Sequence, residues 1–572
     1  MKRRRISLSG IGVSWNASKW RTRFPLAMSN LQQLEVVILL LVAVLALTTV
    51  ARRVLIAYPI LLVVGGLVLG ALPGLPVIRL DPDLVFLVFL PPILWAAAYF
   101  TSWRDFRANL RPITLLAVGL VLATTAAVAL VAHAFLPGLG WAGAIALGAI
   151  VSPPDAVAAT AIGRRLRLPH RVVTVLEGES LVNDATALVL YRAAIAAAVS
   201  GTFVLSETLA QFLLAGTVGV LIGIAVGAAV RWTLCFTNDT STDIGVTLLA
   251  PYVAWVLAEV VHASGVLACV AGGLYLRQHF STIAPTTRLQ ARAVWDFLVF
   301  LLNGVLFILI GLQLGGFRDA IFSQGLGTLI WHGAVVSATA IGVRLAWVPV
   351  AAVLPRLLSP SLRARDPLPP WSHIFLVAWT GIRGIVSLAA ALALPLTTAS
   401  GAPFPFRDEI ILLTFAVILS TLVLQGLSLA PLIRLLKLPD DGILEREEAC
   451  AREHAATAAL KRLDELDAEA WPLPEHLDRL RVHYAQRVRR FSHPAADDPD
   501  CSAEAAEAFR RLRHETLSAE RLAVIALRDE GTISDAVLHQ IEHELDVEAL
   551  RIGVGELRAA GASAKKHQRV KT

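Results

Sequence analysis

The chain has 572 residues, 56% of them hydrophobic and 17% charged, with a formal net charge of +7 and a mean hydropathy of +0.65. A soluble domain carries nearer a quarter of charged residues, so an ordinary soluble protein is excluded and most of the chain belongs in a bilayer. The basic residues lie in loops between apolar runs, which excludes a nucleic-acid footprint; no G-x-x-x-x-G-K-[ST] pattern supports nucleotide-driven pumping, and Cys235, Cys269, Cys450 and Cys501 form neither a disulfide framework nor a metal pattern.

Residues 1–33 form a basic N-terminal segment with Met1-Lys-Arg-Arg-Arg5, Lys19, Arg21 and Arg23. No apolar stretch follows the basic start, so this is not a signal peptide. Apolar runs then recur from 34 to 437, the expected transmembrane domain. We count about thirteen spans: 34–51, 54–72, 83–100, 112–136, 140–165, 172–199, 205–230, 244–262, 264–278, 294–316, 326–354, 372–398 and 408–437. The fold class is an all-α polytopic membrane protein.

Arginines decide the orientation. One set of loops carries Arg52 and Arg53, then Arg104, Arg107 and Arg111, then Arg164, Arg165, Arg167 and Arg171. Arg231, Arg277, Arg288, Arg292, Arg356, Arg363 and Arg365 continue it. The alternate loops hold only Arg79, Arg318 and Arg407. The first set is expected in the cytoplasm, together with everything after Lys437. That puts the start of the first span outside, against the basic N-terminus. Three readings stay open: translation starting at Met28, an extended basic segment, or one span miscounted.

The expected cytoplasmic tail, 438–572, is rich in Glu, Arg, Ala and Leu. Amphipathic helices are expected over Glu445–Ala470 and Ala503–Arg528, with a third after a cap at Ser534. The tail reads either as a soluble aid to folding or dimerisation, or as a regulatory domain.

Two spans are broken. The fifth contains Ser152-Pro-Pro-Asp155 and the twelfth Gly381-Ile-Arg-Gly384. Proline removes a helix hydrogen bond and clashes with the preceding turn, and glycine weakens a helix by about 1 kcal/mol. With the seventh span as a linker, each break is the fifth element of its half, and the odd offset inverts one half relative to the other. Interrupted segments at matching places of inverted repeats point to a transport site, where half-helix ends supply dipoles and freed carbonyls ligate a cation.

The sixth span supplies ligands in Val175-Leu-Glu-Gly-Glu-Ser-Leu-Val-Asn-Asp-Ala-Thr186. An ionisable group near the bilayer centre costs about 2.5–3.5 kcal/mol on insertion scales, so such groups carry function or a partner. Glu177, Ser180 and Asp184 share one helix face, while Glu179 and Asn183 form another i, i+4 pair. Oxygen ligands suit a hard cation. Asp184 is the expected exchanging carboxylate: protonated it cannot hold a metal ion, ionised it can. Arg344, buried in the eleventh span, needs a fixed carboxylate, for which Glu179 is the candidate. Arg383 either compensates the dipoles of the broken twelfth span or pairs with Asp155. Glu177 has no assigned role.

These residues resemble the monovalent cation:proton antiporter-1 family, the NhaP-like bacterial sodium/proton antiporters, over roughly 34–437. The matching motifs are Phe89-Leu-Pro-Pro-Ile93, Ser152-Pro-Pro-Asp-Ala-Val-Ala158, Glu177-Gly-Glu-Ser-Leu-Val-Asn-Asp184, Phe300-Leu-Leu-Asn-Gly304 and Gly381-Ile-Arg-Gly384. The resemblance implies the NhaA/NhaP-like fold, a homodimer in the bacterial inner membrane, and an elevator-like moving core. It implies that Asp184 binds Na+ or a proton, with Ser180, Asp155 and the Pro154 carbonyl as neighbours in the ion site. Asn183 matches the residue associated with electroneutral exchange, and Glu179 with Arg344 matches the structural ion pair. No cofactor and no catalytic residue is implied; Na+ and H+ are the transported ions. Many members carry Glu in the third span where this chain has Ala96, which leaves the choice among Na+, Li+ and K+ open. The expected function is Na+/H+ antiport. The alternatives are K+/H+ exchange on the same fold or, from another class, a cation channel or membrane sensor.

Overall fold

In a computed structural model the chain is described over 30–54, 57–71, 81–155, 157, 168–200, 205–237, 239–279, 285–313, 326–398, 401–437, 443–469, 471–492 and 503–552. The alternative start at Met28, the basic residues before it and the second half of the fifth span lie outside these residues. Contacts divide the chain into two units, Met1–Asp440 and Asp441–Thr572.

The first unit is helical. Its main elements are α1 (Asn30–Val54), α2 (Tyr58–Ala71), α3 (Pro82–Phe100), α4 (Leu110–Phe135), α5 (Trp141–Val151), α6 (His170–Ser200) and α7 (Leu205–Phe236). They continue as α8 (Thr240–Val260), α9 (Gly265–Gln278), α10 (Pro285–Gln313), α11 (Leu326–Leu358), α12 (Trp371–Trp379), α13 (Ile385–Leu392) and α14 (Arg407–Leu435). Among the described residues, 8 helices are long and apolar enough to cross a membrane. Every expected span overlaps a helix or a helix pair.

Local chemistry explains the irregularities. Pro91 and Pro92 lack the N–H groups that would bond one turn back, and the turn before them, Val85–Phe89, widens to a π-helix. Ser152 closes α5 by donating to the Ala149 carbonyl at 3.0 Å, and the following Pro153 and Pro154 stop the helix.

The helices gather in two sets. In one, α2 packs on α10 and α1, while α9 packs on α3, α7 and α8. The α2–α10 crossing is backbone on backbone: Gly66 faces the Ile308 carbonyl and Gly311 the Val63 carbonyl, where any Cβ would collide. In the other set α4, α5, α6, α11, α12, α13 and α14 surround the two breaks. α6 touches both sets, with Leu181 and Ala185 buried in the core of the first.

The second unit contains α15 (Ile443–Leu466), α16 (Pro474–Ser492), α17 (Ala503–Asp529) and α18 (Asp535–Ile552). α15 packs on α16, and α17 on α18. Leu463, Leu477, Leu517, Leu538 and Leu545 are buried, and Arg513–Glu548 and Arg521–Asp546 join α17 to α18 at the surface. α15 and α17 cover most of the two amphipathic stretches expected from sequence, and Ser534 stands directly before α18.

Candidate functional site

The two interrupted helices cross at their breaks. α5 ends at Val151, and 152–155 run without helix; α12 and α13 flank the non-helical 380–384. The Asp155 N–H donates to the Ile382 carbonyl at 2.6 Å, so one break is tied to the other through the backbone. The Asp155 carboxylate turns back on its own chain and accepts the Val157 N–H at 2.8 Å. Its other oxygen lies against Gly384, where a Cβ would collide with it. Glycine at 384 is therefore what lets α13 start beside the carboxylate.

Arg383 closes the crossing. It is 1% exposed. Its Nε donates to the Val151 carbonyl at 3.0 Å, its Nη1 to the Gly381 carbonyl, and its backbone N–H to the Thr421 hydroxyl on α14 at 3.1 Å. A guanidinium thus sits on the carbonyl end of α5 and on the carbonyl that follows α12, the negative ends of two helix dipoles. Of the two roles open from sequence, this is the dipole contact; no ion pair joins Arg383 to Asp155 among the described residues.

Arg344 reaches in from α11. It forms a two-armed pair with Glu179, one arm at 2.8 Å, with both side chains 1% exposed, and its Nε donates to the Val377 carbonyl at 3.2 Å. Such a buried pair is held by geometry, because the Coulomb attraction must offset the desolvation of both ions.

One turn along α6, the Asn183 side-chain amide donates to the Pro154 carbonyl at 2.8 Å. That bond fixes α6 against the break in α5. The Asn183 carbonyl oxygen is buried without a partner. Asp184 follows, only 8% exposed, and close enough to Asp155 for their charges to repel. Ser180 stands one helical turn before Asp184 on the same face and is half-buried. Among the described residues no arginine, lysine or histidine pairs with Asp184 or Asp155. Asp184, Asp155, Ser180 and the Pro154 carbonyl therefore form a group of oxygen atoms with no basic partner for either carboxyl among the described residues. That suits a single hard cation as cargo. Among the described residues no group of three His, Cys, Asp or Glu could hold a resident metal ion.

Ala96 is 2% exposed in the apolar core of α3 and α9. The neighbouring Trp95 packs against Gly272 and Gly273. Apolar packing thus fills the part of α3 around Ala96. Thr421 went unnoticed in the sequence; the signal was a hydroxyl pair, Ser420-Thr421, in the middle of an apolar span.

The description "Sodium/hydrogen exchanger, transmembrane" belongs to the family model that matches residues 14–435. An uncharacterised Na+/H+ exchanger of Mycobacterium tuberculosis is 35% identical over 524 residues, 91% of this chain and 96% of its own. The low-affinity Na+/H+ antiporter NhaS1 of Synechocystis sp. is 31% identical over 464 residues, 78% of this chain and 83% of its own. Among solved structures, the sodium proton antiporter MjNhaP1 of Methanocaldococcus jannaschii at pH 8 superposes with a TM-score of 0.58 at 19% identity, covering 72% of this chain and 100% of its own. That last likeness concerns the fold.

Proposed function

The chain belongs to the sodium/hydrogen exchanger family, and from that premise we propose that it is a secondary-active antiporter exchanging Na+ for H+ by alternating access. The observation that carries this reading is the division of labour on α6. Glu179 is paired with Arg344, while Asp184, five residues further along α6, lies buried near Asp155 without a basic partner among the described residues.

Asp184 exchanges its occupant. Ionised, it joins Asp155, Ser180 and the Pro154 carbonyl around Na+. Protonated, it loses the charge that holds the ion, so the two substrates exclude each other. One carboxylate trading one Na+ for one H+ makes the cycle electroneutral. Asn183 positions the Pro154 carbonyl, and Arg383 and Arg344 hold the carbonyl ends of the broken helices. The site moves with the helices around the breaks relative to the set built on α2, α3, α9 and α10. The protein works as a homodimer in the bacterial inner membrane with residues after 437 in the cytoplasm, where the arginine-rich loops also lie. A channel would need a continuous pore in place of this single charged site.

Everted vesicles with an imposed proton gradient and a pH-sensitive dye test the reading. Na+ is expected to collapse the gradient in the wild type and to do nothing in Asp184→Asn, while the variant still inserts. Unchanged exchange in Asp184→Asn overturns it. A larger response to K+ than to Na+ at equal concentration would transfer the site to K+/H+ exchange.

A further inference from the structure

A second charged cluster lies at the end of the bundle that carries the arginine-rich loops, and its balance is the reverse of the first. The first turns of α4, α6 and α12 meet there with the last turns of α11. Asp366, in the loop between α11 and α12, accepts from three guanidiniums. Arg111 Nη2 reaches its Oδ2 at 2.7 Å, Arg356 Nη2 the same oxygen at 2.8 Å, and Arg171 Nη2 its Oδ1 at 2.8 Å. Three positive charges thus share one carboxylate. Burial pushes the Asp366 carboxyl up, but hydrogen bonds and charge from Arg171, then Arg356, outweigh it and hold the group below its ordinary value.

The remaining arginine donors divide unequally. Arg356 spends its Nε on the Asp366 carbonyl at 2.9 Å and its Nη1 on the Ala352 carbonyl at 2.5 Å. Arg171 donates its Nε to the Asn109 side chain at 3.2 Å. Arg111 Nε and Nη1 are buried with no partner. An unmade hydrogen bond to a buried charged group is costly, so these donors call for an acceptor.

Beside them is a cavity of about 80 Å³, lined by residues Arg111, Arg171 and Arg356 and by apolar side chains including Leu116, Val175, Val348 and Ile374. Pockets for whole organic ligands run to roughly 300–1,000 Å³, so this one suits a small anionic group with a short apolar neighbour. Three helix N-termini at the same place add partial positive charge. We propose that this cavity binds a phosphate oxyanion, held by Arg111, Arg171 and Arg356, and that the phosphate is the headgroup of an anionic phospholipid whose glycerol and first methylenes lie on the apolar wall. Basic pockets between membrane helices take phospholipid headgroups on the same chemistry. The site is separate from the Asp184 crossing and does not depend on the ion exchanged there.

The full chain is purified in a mild detergent and its bound lipids are read by native mass spectrometry after titration with phosphatidylglycerol, with phosphatidylcholine, or with inorganic phosphate. The wild type is expected to keep one phosphatidylglycerol that phosphatidylcholine does not replace. Arg111→Gln and Arg171→Gln are expected to bind it about tenfold more weakly, the loss of one charge-assisted contact. Val348→Phe, which fills the apolar wall and leaves every arginine, is expected to expel it as well, so a folding defect in either arginine variant does not decide the result. Displacement of the lipid by millimolar inorganic phosphate assigns the site to the oxyanion whatever its source. Equal retention of the two lipids, or retention of phosphatidylglycerol unchanged in all three variants, overturns the proposal.

Discussion

Two clusters of arginine and carboxylate sit on the same pair of helices with opposite balances. At the crossing of the breaks, Asp155, Glu179 and Asp184 meet Arg344 and Arg383, and Arg383 is spent on carbonyls, so carboxylate is in excess. At the arginine-rich end, Arg111, Arg171 and Arg356 share Asp366, so guanidinium is in excess. α6 carries Glu179 in one cluster and Arg171 in the other, about 12 Å apart at 1.5 Å per residue; α11 carries Arg344 and Arg356, about 18 Å apart by the same rise. The surplus sign tells which ion each place can receive. The paired charges tell what holds the place together.

The largest effect on that comparison comes from breaking the buried pair. Arg344→Ala removes the guanidinium that pairs with Glu179, which is 1% exposed. Removing one partner of a buried pair costs about 3–5 kcal/mol. The variant is expected to lose most of its thermal stability in detergent, and Glu179→Gln combined with Arg344→Gln is expected to recover a large part, because no lone charge remains. Equal midpoints for the single and double variants would show that the pair is not the element that fixes α6 to α11.

A smaller and more local break is Gly384→Ala. The added methyl meets the Asp155 carboxylate at the start of α13. Overpacking of this kind costs about 1–3 kcal/mol. Here the strain falls on a residue of the proposed cation site, so exchange is expected to require a higher Na+ concentration while the protein still inserts. Gly178→Ala, on α6 against Ile113 and Phe106, strains packing away from the crossing and provides the contrast. A rise in the Na+ requirement confined to Gly384→Ala ties that effect to Asp155.

The sequence exposed these places unevenly, for physical reasons. Charges in apolar runs are expensive, so Asp155, Glu179, Asp184, Arg344 and Arg383 stood out from composition alone. Prolines and glycines announced both breaks, because they disable helix hydrogen bonds whatever surrounds them. What the breaks do to each other was hidden: the bond from Asp155 N–H to the Ile382 carbonyl is backbone chemistry between positions far apart in the chain. The pairing of Arg383 with carbonyls was undecidable for the same reason, since a carbonyl has no letter in the sequence. At the other end, Arg111, Arg171 and Arg356 read only as markers of a loop's side of the membrane. Their convergence on Asp366 needed three helix ends to be brought together.

The arginine-rich end is the weaker of the two clusters, and its response to pH sharpens the contrast. The Asp366 side chain is 25% exposed, against 1% for Glu179, so water already screens its ion pairs. Its folded pKa lies below the ordinary value of 3.8. The stability it contributes is therefore fully present above about pH 3.8 and is lost as pH falls through the lower folded value. Asp366→Asn removes this contribution at every pH. Its midpoint is expected to sit modestly below the wild type's near neutrality, far less than for Arg344→Ala, and the gap is expected to close as the medium is acidified. Without the carboxylate the three guanidiniums depend more on any bound oxyanion, so phosphatidylglycerol is expected to raise the midpoint of Asp366→Asn more than that of the wild type. A gap that widens on acidification, or a lipid response equal in the two proteins, would mean that Asp366 does not act as the counter-ion of this cluster.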